Sequence, residues 1–349
     1  MSLALLNTFP AQLFPVLRQL SAEDFLSGEE IAQRLGCSRG TVHNAIQAAL
    51  AAGFSVHAVH GRGYRLAFPI SWLDPVRLTP AFARQGIAHR HLDQLASTNA
   101  LMLESAALNG PERAPNRCLI STEWQSQGRG RRGRDWHAGL GGGLMFSYLW
   151  RSARPAAQLS GLSLAVGVAL VKGLRAVGLA DAQVKWPNDI QVAGAKLAGV
   201  LIELASDRSV SDVFASDVLG PSSAVIGIGI NVSGGEALEG KLGHAVTDLH
   251  THIGSTAGPI DRNELLMRLV TQLDLDLARF ERDGFVAFLD DWQAFHAHQN
   301  QPVCMQLGQG EPVCGIARGV DAQGALLLET LAGMRSFHSG EVSLRAISS

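Results

Sequence analysis

Apolar and polar positions change their rhythm three times along this chain, and the changes mark where its parts begin and end. Up to about residue 70 the rhythm is helical. Ser27-Gly28-Glu29-Glu30 is an S-x-x-E capping box, which opens a helix by satisfying its first free amides, and Ile31 and Leu35 supply that helix with an apolar side. Gly36-Cys37-Ser38 breaks it. Ser38 then caps a second helix in which Val42, Ile46 and Leu50 recur every four residues and are predicted to face inward. Phe54 to Val59 alternates as a strand does, His60-Gly61-Arg62-Gly63 is a tight turn, and Tyr64-Arg65-Leu66 returns. Helix, glycine turn, helix and hairpin together predict a winged helix-turn-helix over residues 1–70.

Phe68-Pro69 to Asp74-Pro75 reads as a linker. From residue 75 to 298 strand and helix signals alternate, which predicts a mixed α/β domain. The strands are expected over Ile87–Leu95, Cys118–Glu123, Leu144–Trp150, Val184–Trp186, Ile190–Val192, Leu197–Leu204 and Ala224–Val232. Helices are expected from Ser97-Thr98-Asn99 to about Leu108, over Leu159–Val177, from Asp261 to about Phe280, and over Phe285–Phe295. Ala205 to Ser223 reads as an exposed excursion. Beyond Gln301, five short strands alternate with glycine turns, which predicts an SH3-like β-barrel over residues 299–349. The fold class is therefore α+β in three units.

Length agrees, since 349 residues suit two or three domains, and a 46% hydrophobic content supplies large cores. A net charge of −2 excludes a protein that binds nucleic acid through its overall charge, so any DNA contact must be local. In the first 70 residues Arg18, Arg34, Arg39, Arg62 and Arg65 face Glu23, Asp24, Glu29 and Glu30, a balance of +1. The polar residues left on the outer side of the second helix are of the kinds that read base edges or phosphates: Ser38, Arg39, Thr41, His43, Asn44 and Gln47, with Arg62 on the wing. Paired helices with a glycine turn also occur in units that bind nothing. A single unit of this size grips DNA weakly, so a dimer is expected.

Cys37, Cys118, Cys304 and Cys314 form no C-x-x-C pair and no zinc-ligand spacing, and scattered, reduced thiols suit a cytoplasmic enzyme. The first ten residues lack the basic start of a signal peptide. The longest apolar run, Leu159 to Leu174, contains serines, glycines and Lys172 and reads as a buried helix rather than a membrane span.

The densest chemistry lies in Gln127-Gly128-Arg129-Gly130-Arg131-Arg132-Gly133-Arg134-Asp135-Trp136. Glycines let the backbone approach a ligand closely, and guanidinium groups hold phosphate or carboxylate in a fork. Such a loop suits closure over a small anion.

This loop is followed by Lys185-Trp186-Pro187-Asn188-Asp189, Lys196-Leu197-Ala198-Gly199 and Gly227-Ile228-Gly229-Ile230-Asn231-Val232, and preceded by Ser97-Thr98-Asn99. In this order the motifs resemble those of the biotin protein ligases. The match extends to the terminal units, so nearly the whole chain resembles the bifunctional bacterial form that is also the biotin-operon repressor. The resemblance implies a two-step reaction. Biotin and Mg-ATP give biotinyl-5'-AMP and pyrophosphate, and biotin then passes to a lysine of the biotin carboxyl carrier protein of acetyl-CoA carboxylase. It also implies that biotinyl-5'-AMP is the corepressor, that the adenylate-bound chain is a homodimer, and that its DNA partner is operator DNA.

On that reading Ser97, Thr98, Asn99 and Gln125 bind the ureido head of biotin, and the strands around Leu144, Val200 and Ile202 line its chain. Arg129, Gly130 and Arg131 close over it. Lys196 meets the α-phosphate and the biotin carboxylate. Arg131, Arg134, Trp136, Lys185 and Asn231 serve ATP or the adenylate. Asp189 orients and deprotonates the incoming lysine, since a free lysine amine is mostly protonated near pH 7. Catalysis thus falls to Lys196, Arg131 and Asp189. Mg2+ travels with the nucleotide, so no fixed metal cage is expected. Two departures from the family stand out: Asp135 lies where a basic residue is common, and Ser233 to Leu249 has no tryptophan to stack on adenine. The alternatives are a monofunctional ligase with a non-regulatory N-terminal domain, which deleting residues 1–70 would distinguish, and a biotin sensor without transfer activity. Lipoate ligases share the architecture but lack the arginine loop.

Overall fold

The computed structural model describes residues 9–108, 110–205, 220–242, 245–254, 259–307, 311–338 and 342–346. Most of the expected excursion between Ala205 and Ser223 lies outside the described residues.

The first unit holds α1 (Leu13–Leu17), α2 (Gly28–Leu35), α3 (Arg39–Ala51) and a hairpin of β1 (Val56–Val59) and β2 (Gly63–Leu66). Both halves of the capping box form: Ser27 Oγ accepts the amide of Glu30, and Glu30 Oε2 accepts the amide of Ser27, each at 3.1 Å. Gly36 ends α2 in the left-handed region at φ 61°, where a side chain would be strained. Val42 and Ile46 are buried, with Ala45 and Ala49 beside them. Leu50 is 38% exposed, against expectation. Each step of four residues turns about 400°, so two steps rotate a side chain about 80° from Val42, and Ala49 occupies the inward position instead.

The middle unit contains α4 (Pro75–Ala83), β3 (Ala88–Leu95), α5 (Thr98–Ala107), β4 (Cys118–Gln125), β5 (Gly143–Ser152), α6 (Leu162–Ala176), β6 (Gln183–Lys185), β7 (Asp189–Val192), β8 (Ala195–Ala205), β9 (Ser222–Asn231), α7 (Gly235–Leu242), α8 (Leu249–Ile253), α9 (Arg262–Asp283) and α10 (Leu289–Phe295). The strands form one sheet in the order β3-β4-β5-β9-β8-β7-β6, with β3 and β4 parallel and the other neighbours antiparallel. The short helices α4, α7 and α8 carry too little periodicity to be read in advance. Asp74 caps α4 with Pro75 in its first turn, so the end of the expected linker is a helix start.

Side chains alternate between the two faces of a sheet, and β5 and β9 follow this strictly. Leu144, Phe146, Tyr148, Ala224, Ile226, Ile228 and Ile230 point into the large core with α6 and α9. Leu149 and Val225 point the other way, toward α5. Ser147, Gly227, Gly229 and Asn231 share that second face by the same period of two. Among the described residues no helix is long and apolar enough to cross a membrane.

The linker is held tightly. Arg262, 1% exposed, donates to Ser71 O at 2.7 Å, to Gly143 O at 2.9 Å and to Glu123 Oε2 at 2.6 Å. Glu123 Oε1 accepts the amide of Leu73 at 2.7 Å. The first unit also packs directly on the second. Trp124 lies between Phe9, at 4.7 Å, and Phe54, at 5.9 Å, and Leu140 is part of the N-terminal core.

The last unit is all strand: β10 (Pro302–Leu307), β11 (Val313–Val320), β12 (Leu326–Thr330), β13 (Gly333–Phe337) and β14 (Val342–Ala346), antiparallel in the order β13-β12-β11-β10-β14. It docks through Gly324 O, which accepts Trp186 Nε1 at 3.1 Å, and Gln323 O, which accepts Ser160 Oγ at 2.5 Å. The expectation of four reduced thiols needs correcting. The register of β10 and β11 sets Cys304 opposite Cys314, and the two are disulfide-bonded. The hairpin between them hid that proximity in the sequence.

Burial pushes His89, His296 and His298 down to about 4, with His91, His298 and Lys185 respectively adding to the effect. Each is held neutral in the fold, whereas an unfolded histidine titrates near 6.5. Unfolding therefore takes up protons between these values. Stability should fall as pH drops through that window, by at most about 1.4 kcal/mol per pH unit for each histidine. Urea unfolding at pH 7.5 and 5.5 tests this; equal free energies of unfolding would contradict it.

Candidate active site

A cavity of about 730 Å³ opens on the α5 face of the large sheet. Its floor exists because Gly199, Gly227 and Gly229 lack side chains. A Cβ on Gly229 would collide with the indole of Trp136, and one on Gly227 with the amide of Asn99. The pairing of Gly199 with Gly229 places two of these gaps side by side.

The polar end is built at the start of α5. Ser97 caps the helix, accepting the amide of Ala100 at 3.4 Å. Thr98 donates to Gln125 Oε1 twice, from its amide at 2.7 Å and its hydroxyl at 3.1 Å. Ser147 Oγ lies 2.7 Å from Thr98 Oγ1 and 2.5 Å from Asn99 Oδ1. The Asn99 amide donates to Glu203 Oε2 at 2.9 Å and to Leu201 O at 3.3 Å. Ser97, Thr98 and Asn99 are thus buried with their groups fixed before any ligand arrives.

The arginine loop folds as a small hairpin across this floor. Gly130 N donates to Arg134 O at 2.7 Å, and Trp136 N to Gly128 O at 2.8 Å, with Arg129 opposite Asp135. Arg132 turns the tip at φ 58°. Arg131 points inward and donates to Asn188 Oδ1 at 3.0 Å. Burial, then the neighbouring Arg132, lower its pKa, while Asp189 opposes the shift. Arg129 reaches Glu203 Oε2 at 3.4 Å. Arg134 is exposed at the rim.

The far end carries Lys196 and Asp189, paired at 2.7 Å and each about a quarter exposed. Lys196 is fixed by its own backbone, which bonds Ala245 O and Thr247 N at 2.9 Å. The Asn231 amide donates to Thr247 O at 3.1 Å. Lys185, Trp136 and Asn231 line the same cavity, with Lys196 Nζ 5.8 Å from the Trp136 ring.

All of the polar ligand residues expected from the sequence therefore meet in one space, but the apolar lining needs correction. Leu144 falls on the opposite face, in the core, because it is one residue out of phase with Met145 and Ser147. Ile202 lines a neighbouring cavity of about 360 Å³. Val200 and Ile228 border the site, but they are paired on the face that turns into the large core, whereas Leu201 shares the face of Gly227. Asp189 is already ion-paired with Lys196. Asn188 and the pair Ala245-Val246, which line the cavity, and Glu203, which holds the lining residues Asn99 and Arg129, were not expected from the sequence. Glu203 and Asn188 stand inside or beside the recognised motifs and are visible as polar residues there; Ala245 and Val246 carry no signal.

The DNA-binding candidates lie apart from this cavity. Arg39, His43, Asn44 and Gln47 are exposed along α3. Ser38 and Thr41 turn their hydroxyls on each other at 2.9 Å while Ser38 caps the helix. Arg62, on the turn of the hairpin, lies over the Phe25 ring at 4.4 Å.

Comparison with known proteins places these units. Residues 94–214 match the biotin/lipoate A/B protein ligase family, residues 13–65 an HTH domain, and residues 298–345 the biotin protein ligase C terminal domain. The bifunctional ligase/repressor BirA of Salmonella typhimurium is 35% identical over 340 residues, covering 97% of this chain and 98% of that one. A biotin–[acetyl-CoA-carboxylase] ligase of Mycobacterium tuberculosis is 32% identical over 264 residues, covering 74% and 90%. Among solved structures, the biotin protein ligase of Aquifex aeolicus in complex with biotin and ATP superposes with a TM-score of 0.61 at 27% identity, over 74% of this chain and 99% of that one.

Proposed function

The chain belongs to the biotin/lipoate A/B protein ligase family, and on that premise we propose how its parts divide the work of an ATP-dependent biotin ligase that is also a transcriptional repressor. Residues 1–70 bind operator DNA, residues 75–298 carry the chemistry, and residues 299–349 brace the Trp186 turn. In the first step the biotin carboxylate attacks the α-phosphate of ATP and pyrophosphate leaves. In the second, a lysine amine of the biotin carboxyl carrier protein attacks the biotinyl carbonyl of biotinyl-5'-AMP and AMP leaves.

The observation that carries this reading is the juxtaposition of Lys196, Asp189 and Arg131 at one end of a glycine-floored cavity whose other end is a fixed polar cap. Phosphoryl and adenylyl transfer need positioned cations more than covalent help. Lys196 and Arg131 supply them, both beside Asp189 in the same space. The ion pair between Lys196 and Asp189 has a direct use: when Lys196 turns to the ligand's anionic groups, Asp189 is released to accept a proton from the acceptor amine. Ser97, Thr98 and Gln125 present groups to the ureido head, and a site of paired polar groups rejects analogues that leave them unpaired. Ala245 and Val246 offer an apolar wall for adenine where no tryptophan is present. Magnesium arrives with the nucleotide; the Asn231 amide oxygen is the hard, neutral donor type it takes, and when bound it neutralises polyphosphate charge. Incubation with ATP, labelled biotin and a carrier domain, omitting each in turn, tests the reaction. Label on the carrier without ATP would refute it.

The adenylate then acts as corepressor. Bound under the arginine hairpin, it favours a homodimer whose two α3 helices meet two half-sites. Operator binding should require both biotin and ATP. Deleting residues 1–70 does not distinguish a repressor from a monofunctional ligase cleanly, because it strips Trp124 and Leu140 of their cover. Point changes do so better. Asn44→Ala with Gln47→Ala should weaken operator binding by roughly 5- to 150-fold for each base-edge hydrogen-bonding side chain removed, with carrier biotinylation intact. Gel-shift titration measures this; unaltered operator affinity would favour the monofunctional reading.

A further inference from the structure

We propose that Glu203 is a positioning residue that moors the arginine hairpin and the Asn99 amide to the sheet at the biotin-head end of the site. The proposal rests on the biotin-ligase reading of this cavity. One carboxylate oxygen, Oε2, receives the Asn99 amide at 2.9 Å and Arg129 at 3.4 Å, so the start of α5 and the arginine loop share a single anchor. The Glu203 side chain is 28% exposed and that of Arg129 45%, so water does not fully screen the pair. The sheet places Glu203 opposite Val225, on the face of Leu201 and Gly227. Asn99 is locked on its other side by Ser147, so the carboxylate decides which way the amide nitrogen points. Lys196 lies seven residues earlier on the same strand, roughly 23 Å at about 3.3 Å per residue. Glu203 therefore sits away from the end where the biotin carboxylate reacts, and its charge does not oppose that group. It acts through Arg129 and Asn99, on binding rather than on the chemical step.

Biotin-dependent exchange of pyrophosphate into ATP tests this in the full chain. Glu203→Gln keeps an acceptor for Asn99 and removes the charge that holds Arg129. It should raise the KM for biotin about fivefold while kcat stays within about twofold. Arg129→Ala should raise KM at least as much, and the double variant no further than Arg129→Ala alone, because both changes cut one tether. Thermal midpoints of all three should match the wild type. An unchanged KM in Glu203→Gln, or additive effects in the double variant, would overturn the assignment of Glu203 while wild-type exchange upholds the reading of the site. A wild type with no exchange at all would overturn both.

Discussion

Alanine at Lys196 is expected to lower the rate of adenylate formation by about 10²–10³-fold, the usual effect of losing one preorganised group aimed at developing charge. Lys196 is the cation whose backbone is clamped on both sides, by Ala245 O and by the amide of Thr247. Its ammonium therefore starts from a fixed root. The fold itself should suffer little. The Lys196–Asp189 pair is partly exposed, and such pairs contribute on the order of 0–1 kcal/mol. The variant should thus melt close to the wild type while its pyrophosphate exchange collapses. Supplied with preformed biotinyl-5'-AMP, it should still transfer biotin to the carrier, because the second step draws on Asp189. An exchange rate within tenfold of wild type would remove Lys196 from the first step.

Arg262→Met should strongly destabilise the middle unit. It leaves Glu123, whose side chain is fully buried, facing Arg18 at 3.7 Å as its remaining cation, and leaves Ser71 O and Gly143 O without the guanidinium. Stranding a buried charge costs about 3–5 kcal/mol. At about 2–4 °C per kcal/mol for a domain of this size, that is a loss of roughly 10 °C in thermal midpoint. Replacing both charges, with Glu123→Leu added, should recover part of the loss, since an uncharged pair avoids the desolvation of a lone carboxylate. Calorimetry of the single and double variants decides the matter. A single change costing under 1 kcal/mol would show that Arg18 or water compensates Glu123 unaided.

Most of the fold was legible because its elements carry strong local signals. Ser27, Ser38, Ser97 and Asp261 each cap the helix they announce, and the apolar runs of β5 and β9 mark buried strands. The gathering of the candidate site's polar residues in one cavity was legible through motif order and residue chemistry. What escaped depended on register. Whether Leu144 or Ser147 faces the cavity side of the sheet is a question of phase on a strand, and a pattern that is apolar on both faces does not state its phase. Glu203 and the Cys304–Cys314 bond depend likewise on which residue a neighbouring strand sets opposite or nearby. Arg262 and Glu123 are 139 residues apart, and nothing local in either segment points to the other.

Trp124 and Leu140 bracket the arginine hairpin, yet both are seated among residues of the helix-turn-helix. A hybrid that borrowed its first 66 residues from a relative would leave those two feet in a foreign socket. Changing which operator this protein binds is therefore a task for the outward positions of α3, within the existing scaffold, rather than for a graft at the seam.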